Sequence, residues 1–202
     1  ESGPGFGGSC FKKDILNLVY LAKFYGLKEV AEFWESVVHI NKWHQSRISQ
    51  LVVKKLFGTL SGKKIAIFGF AFKANTNDTR ESAAIQICKD LINEGGNLII
   101  HDPKVSPTQI SNDLGQEPIK SVDKSFFINS NGNWQFSNDI DILEKCHAAL
   151  ILTEWDEYKN INWDLASKKM LNPSWVFDSR AILDKEKVIK AGINFWRIGD
   201  GS

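Results

Sequence analysis

Apolar positions in the first part of the chain follow helical spacing. Phe11, Ile15, Leu18, Val19 and Ala22 recur three and four residues apart until Gly26, which suits a helix stop. A second stretch, 29–57, contains neither Pro nor Gly and places Val30, Phe33, Trp34, Val37, Val38, Ile48, Leu51, Val52 and Leu56 at apolar positions. A helix of this length carrying two tryptophans either runs through one core or packs against a partner subunit. Gly58-Thr59-Leu60-Ser61-Gly62 then marks a boundary.

Beyond that boundary short apolar runs alternate with amphipathic stretches. Strands are predicted at 64–70, 98–101, 148–153, 175–178 and 195–198, with helices at 81–94, 140–145, 165–170 and 185–190. The segment 103–139, rich in Ser, Asn, Asp and Pro, reads as surface loops with one short strand at 125–128. No internal repeat is evident. The pattern predicts an α/β protein: a helical segment, 1–58, followed by a Rossmann-like doubly wound parallel sheet, 59–202.

Composition narrows the partners. With 202 residues, 43% hydrophobic and 24% charged, the chain is long enough for one large or two small domains. A net charge of +1 without a long basic run argues against nucleic acid and for a small ligand. There is no uninterrupted apolar run of about 18 residues, so no membrane span is expected. The three cysteines lack disulfide or zinc-ligand spacing, and His39, His44, His101 and His147 form no metal or catalytic pattern. A reducing cytoplasm fits best. The chain opens on Glu1 within a glycine-rich motif, and it reads as a piece of a longer protein.

The candidate chemistry starts at Cys10, in Gly7-Gly8-Ser9-Cys10-Phe11-Lys12-Lys13-Asp14. Gly5, Gly7 and Gly8 clear the approach to the sulfur, and Ser9 is expected to cap the following helix. A first helical turn and two adjacent lysines favour the thiolate, the nucleophilic form. Asp14 lies one turn on, placed to hold a water or take a proton. Cys88 and Cys146 fit small core residues.

A second set of candidates lies at the predicted strand ends. The first strand leads into Phe70-Ala71-Phe72-Lys73 and then Asp78-Thr79-Arg80-Glu81, where a dinucleotide fold would carry G-x-G-x-x-G. That fingerprint is absent, so a standard NAD site on this sheet is not expected. Lys73 and Arg80 can meet phosphate or hydroxyl groups there; Arg80, a cation near a helix start, reads as a binding residue because charge there is otherwise unfavourable. Arg180 closes another strand at the same rim. Asp102-Pro103 reads as a turn rather than a ribose grip, and Trp155 as a wall of the ligand cleft.

Five motifs in order carry a family resemblance: the run Gly3-Pro4-Gly5-Phe6-Gly7-Gly8-Ser9-Cys10-Phe11-Lys12-Lys13-Asp14, Gly69-Phe70-Ala71-Phe72-Lys73, Asn77-Asp78-Thr79-Arg80-Glu81-Ser82, Thr153-Glu154-Trp155 and Phe177-Asp178-Ser179-Arg180. With these the chain resembles the UDP-glucose/GDP-mannose dehydrogenase family from Gly3 to about Ile198, covering the end of its central helical domain and its UDP-binding domain. The resemblance implies oxidation of a sugar C6 alcohol to a carboxylate with two NAD, bound mainly by a domain upstream. It implies that Cys10 forms a thiohemiacetal and then a thioester, with Asp14 acting on the hydrolytic water. It also implies that Phe6, Gly7, Phe72, Lys73 and Arg180 contact the nucleotide sugar, that Lys13 and Arg80 approach the cofactor, and that the long helix forms a homodimer. Lys12 and Ala181 depart from many relatives, which leaves UDP-glucose, GDP-mannose and UDP-N-acetyl sugars as candidate substrates. The run 14–21 and Phe72-Lys73 look most like the UDP-glucose branch. Two other readings stand beside it: a nucleotide-sugar-binding and dimerisation module without chemistry of its own, and a Cys-His hydrolase, which no histidine motif supports.

Overall fold

The computed structural model describes residues 3–119 and 132–200. Two helices open the chain, α1 (Phe11–Phe24) and α2 (Lys28–Lys55), folded back on each other around a left-handed Gly26. Six parallel strands follow, β1 (Lys64–Phe68), β2 (Asn97–His101), β3 (Asn133–Phe136), β4 (Ala148–Ile151), β5 (Trp175–Asp178) and β6 (Asn194–Arg197). Among the described residues the remaining helices are α3 (Ala83–Asn93), α4 (Pro107–Leu114), α5 (Trp163–Lys169) and α6 (Lys185–Lys190), with a short 3-10 turn at Asp156–Asn160.

Strand order is β3-β2-β1-β4-β5-β6, the doubly wound arrangement expected. Ile65, Ala66, Ile67 and Phe68 of β1 and all four residues of β4 are buried, because central parallel strands are covered on both faces. The C-terminal half of α2 joins this core through Ile48, Val52 and Leu56 and packs on α3. The α1–α2 pair has only a small core of its own, Val19, Ala22 and Ala31 with Trp34 against it. Phe11 and Leu18, predicted on the apolar face of the first helix, are exposed because α2 covers one side of α1 only.

The segment 103–139 differs from its loop reading. Ser106 accepts a hydrogen bond from the Gln109 N–H, Pro107 sits in the first turn and Gly115 closes α4 in a left-handed conformation, so helix punctuation was present in a polar stretch. After it β3 joins the sheet edge through its backbone. The predicted strand 125–128 lies outside the described residues. The predicted helix 140–145 is irregular: Ile142 and Leu143 enter the core, and Lys145 at φ 58° takes a left-handed backbone that interrupts a helix. Strand 175–178 and helix 185–190 form with the predicted boundaries.

Candidate active site

Strand order reverses at β1 and β4, so ligands of this fold are expected above the carboxyl ends of these strands. The chain leaves β1 through Gly69 at φ 92°, where a Cβ would lie 2.3 Å from the Cβ of Thr153. Only glycine lets the two exits pack this closely. The next residues are held by side chains. Asp102 Oδ2 accepts from the N–H groups of Phe70 (2.7 Å) and Ala71 (3.0 Å) and from Trp155 Nε1 (3.3 Å), while Oδ1 accepts from Lys104 and Val105. The hydroxyls of Thr153 and Ser82 donate to the carbonyls of Ala71 and Phe70. Asp102 therefore makes the expected turn, and it also clamps the β1 exit, a role invisible in the sequence because its partners lie about thirty residues away. Trp155 is buried in the core with its ring nitrogen on Asp102, so it walls no cleft.

This scaffold presents Phe72 and Lys73. Phe72 is half-buried and Lys73 exposed, its ammonium 5.3 Å from the Phe72 ring. Arg180, at the end of β5, donates through Nε to the Leu152 carbonyl (2.8 Å) and through Nη2 to the Phe72 carbonyl (3.0 Å), with Glu154 Oε2 at 3.2 Å. Burial lowers its pKa, and Glu154 works in the opposite direction. Its guanidinium thus ties together the exits of β1, β4 and β5.

The glycine loop rests on this rim. A Cβ at Gly7 would lie 2.5 Å from the Glu81 carbonyl oxygen and 3.2 Å from Phe72 Cβ; one at Gly8, which is at φ 84°, would touch the Phe72 ring at 3.0 Å. A Cβ at Gly3 would lie 3.3 Å from Arg180 Nη1. The Gly8 N–H donates to the Arg80 carbonyl (2.9 Å), and Lys12 pairs with Glu81 (2.8 Å). From the other side α2 holds the loop. The Phe6 N–H donates to Asn41 Oδ1 (2.8 Å), Asn41 Nδ2 donates to the Phe6 carbonyl (3.0 Å), and His44 Nε2 lies 3.0 Å from the Gly3 carbonyl oxygen. Phe6 packs edge-on against Phe11 at 4.7 Å. Asn41 is the positioning residue that sequence reading passed over. Its signal was a polar stripe, Asn41, His44 and Gln45, on one face of a long helix.

Cys10 stands at the start of α1 with its side chain exposed, as the flanking residues predict. The cap differs from expectation: Cys10 itself is the capping residue, no side chain caps the helix, and the Ser9 hydroxyl lies 3.7 Å from the sulfur. The Asp14 N–H donates to the Cys10 carbonyl, and the side chains of Lys13 and Asp14 are exposed, with no hydrogen bond or ion pair among the described residues. Arg80 is 69% exposed and grips Asp78, Nε to Oδ1 at 2.9 Å and Nη2 to Oδ2 at 2.7 Å. That pairing holds the Asp78 carboxyl below the usual range and raises Arg80, which the nearby Cys10 sulfur also favours. α3 begins only at Ala83, so Arg80 lies outside the helix and the dipole argument for it falls. Cys88 and Cys146 are buried; burial pushes the Cys88 thiol up strongly and that of Cys146 to about 12. Asn75, Glu81 and Ala181 adopt left-handed backbone in the loops after β1 and β5, the kind of strain that collects at functional rims.

The family model for the UDP binding domain of the UDP-glucose/GDP-mannose dehydrogenase family matches residues 66–185, and that for the family's central domain matches residues 1–43. The chain belongs to the UDP-glucose/GDP-mannose dehydrogenase family. It is 42% identical over 203 residues to the UDP-glucose 6-dehydrogenase of Drosophila melanogaster and 40% identical over 200 residues to that of Caenorhabditis elegans. These alignments cover 98% of this chain but 41% and 40% of the relatives, so the chain spans about two fifths of their length. Among solved structures it is similar to a UDP-glucose dehydrogenase from the archaeon Pyrobaculum islandicum, with a TM-score of 0.71 and 26% identity over 96% of this chain and 38% of that one. A UDP-D-ManNAc dehydrogenase from Pyrococcus horikoshii superposes with a TM-score of 0.67 at 27% identity, over 98% of this chain and 40% of that one.

Proposed function

We propose that this chain is the nucleophile-bearing, UDP-sugar-binding part of an NAD-dependent UDP-glucose 6-dehydrogenase that converts UDP-glucose to UDP-glucuronate. One observation carries the reading. The loop that exposes Cys10 is pinned, through Gly3, Gly7 and Gly8, onto Phe72 and Arg180 at the carboxyl rim of the sheet. A sugar nucleotide lying along that rim, its UDP end on Phe6, Gly7, Phe72, Lys73 and Arg180, would bring its far end toward the sulfur.

The thiol answers a specific chemical need. An alcohol can lose hydride directly, whereas an aldehyde carbon must first gain a nucleophile so that it again carries an oxygen able to expel hydride. Cys10 Sγ adds to the aldehyde carbon to give a thiohemiacetal, and after oxidation the sugar is left as a thioester on the same sulfur. Water cleaves that bond, with Asp14, one turn along α1, as the proton acceptor, which frees the thiol and the carboxylate. When bound, NAD supplies the acceptance of hydride. Lys13 and Arg80 are exposed cations beside the Cys10 loop and fit the diphosphate of such a cofactor, Arg80 sharing its charge with Asp78. The exposed side of α1 and α2 supports a homodimer, with 1–58 as the dimerising part, 59–202 as the sugar-nucleotide part, and a cytoplasmic setting.

The test is a thermal melt of the 202-residue chain with UDP-glucose or UDP-glucuronate at millimolar concentration. A raised midpoint, lost on Lys73→Ala, is expected; equal midpoints with and without ligand sink the reading. Reduction of NAD by this chain alone with UDP-glucose is not expected, since the family's NAD domain lies upstream of it.

A further inference from the structure

On the far side of the glycine loop, between the first turn of α1, the middle of α2 and the start of α3, lies a cavity of about 330 Å³. Its cations are Lys12, Lys42 and Lys89, its one carboxylate is Glu81, and Val38 and Ile85 give it an apolar wall. Lys12 and Glu81 neutralise each other at 2.8 Å. Lys42 is exposed and Lys89 half-buried, and neither makes an ion pair among the described residues. Two uncompensated ammonium groups facing one cavity repel each other unless an anion lies between them. A second observation is independent of charge. Gln45 is only 9% exposed, lines the same cavity, and its amide makes no hydrogen bond among the described residues. With the rest of the residue packed away, that amide is open to the cavity and free to donate to a ligand there. The neighbouring Asp90 lies outside the cavity lining, where it accepts from Ser49 and Gln86, and it makes no ion pair with Lys42 or Lys89.

From this cavity we infer a second ligand site, for a small molecule bearing a phosphate monoester, held by Lys42, Lys89 and the Gln45 amide. The residual charge of the lining matches a phosphate monoester, which carries about −1.5 to −2 at neutral pH, better than a single carboxylate. The volume is at the lower end for ligand sites, with room for one phosphorylated sugar-sized body. The site is separate from the strand-end rim, yet it shares a wall with the nucleophile loop: Asn41, which clamps Phe6, and Lys12, two residues beyond Cys10, both line it.

Ribose 5-phosphate titrated into the 202-residue chain, followed by backbone amide NMR shifts, tests the site. Saturable shifts centred on Lys42, Gln45 and Lys89, weakened about tenfold or more in Lys42→Glu with Lys89→Glu and unchanged in Lys73→Ala, are expected. Lys42→Glu alone, on the exposed surface of α2, keeps the fold and should weaken binding in the same direction. Shifts centred on Phe72, Lys73 and Arg180, wild-type binding by the double variant, or no saturable shift at millimolar concentration would each overturn the proposal. The first of these outcomes leaves the reading of the rim intact.

Discussion

The sheet and the α1–α2 pair bury apolar surface in opposite ways. Along β1, β4 and β5 almost every side chain is inside, and Trp134, Tyr158, Phe68, Phe70 and Phe177 are among the largest fully buried groups. In the helical pair the internal contacts reduce to a few small residues and Trp34, while Phe24, Tyr25, Phe33, Ile40 and Trp43 are each at least 60% exposed. Contiguous exposed apolar surface of this kind commonly marks a contact site. The sheet strands are covered by the chain's own helices, whereas the helical pair leaves this apolar surface open among the described residues, the face the proposed homodimer would use. The glycine loop joins the two regions, hung from α2 by Asn41 and resting on the sheet rim at Phe72 and Arg80.

The contrast can be broken first in the sheet. Phe68→Ala should cost about 3–5 kcal/mol and lower the melting midpoint steeply, because the cavity it leaves is enclosed on both faces. A loss below about 1 kcal/mol would mean that the core is not as tightly closed as described. In the helical pair the matching substitution behaves differently. Trp43→Glu should change stability of the isolated subunit by no more than roughly 0.5 kcal/mol, yet shift a dimer to monomer in sedimentation. An unchanged sedimentation profile would remove this face as the interface.

The junction gives a third effect, of intermediate size. Asn41→Ala removes both hydrogen bonds to Phe6 and should cost about 1–2 kcal/mol. It should also alter the rate at which iodoacetamide alkylates Cys10, whereas Asn41→Asp, which keeps the acceptor for the Phe6 N–H, should recover part of that change. An alkylation rate indifferent to Asn41 would separate the clamp from the nucleophile.

The smallest effect is in pH. Burial lowers the pKa of His101, against the pull of Glu157, Asp102 and Asp139, and also that of His147, where Lys63 adds to the effect. The unfolded chain then takes up protons before the folded one, so this contribution is complete above the ordinary value of 6.5 and is lost as pH falls toward the folded values. Stability should fall on acidification below about 6.5, with a slope of up to roughly 1 kcal/mol per pH unit for each group. His101→Gln should flatten that slope; a slope that stays the same would assign it elsewhere.

How much was legible from sequence follows the same division. The strands of the sheet centre announce themselves as apolar runs, since a strand covered on both faces has no polar alternation to confuse it. The edge strand β3 and the short α4 did not, because α4 buries only Ile110, Ser111 and Leu114 beneath a polar surface, and β3 gains its place by backbone pairing that no side-chain pattern reports. Cys10 was readable because glycines, charges and a helix start are local. Asn41 and the clamp made by Asp102 were not, since each acts on residues about thirty to thirty-five positions away.

Local pattern also misled, at Trp155 and in part of the argument for Arg80. For Arg80 only the helix-dipole argument fails, since it lies before the helix and pairs with Asp78 two residues away, whereas long-range contact with Asp102 drew Trp155 into the core. By itself the sequence determined the class of fold, the order of the two regions and the exposed thiol, all consequences of short-range periodicity and turn chemistry. Only the tertiary structure decided that the thiol's loop is held from two sides, that one face of α2 serves the core while another stays open, and that a basic cavity lies behind the nucleophile. Those features depend on which distant residues meet, and that is set by packing rather than by local pattern.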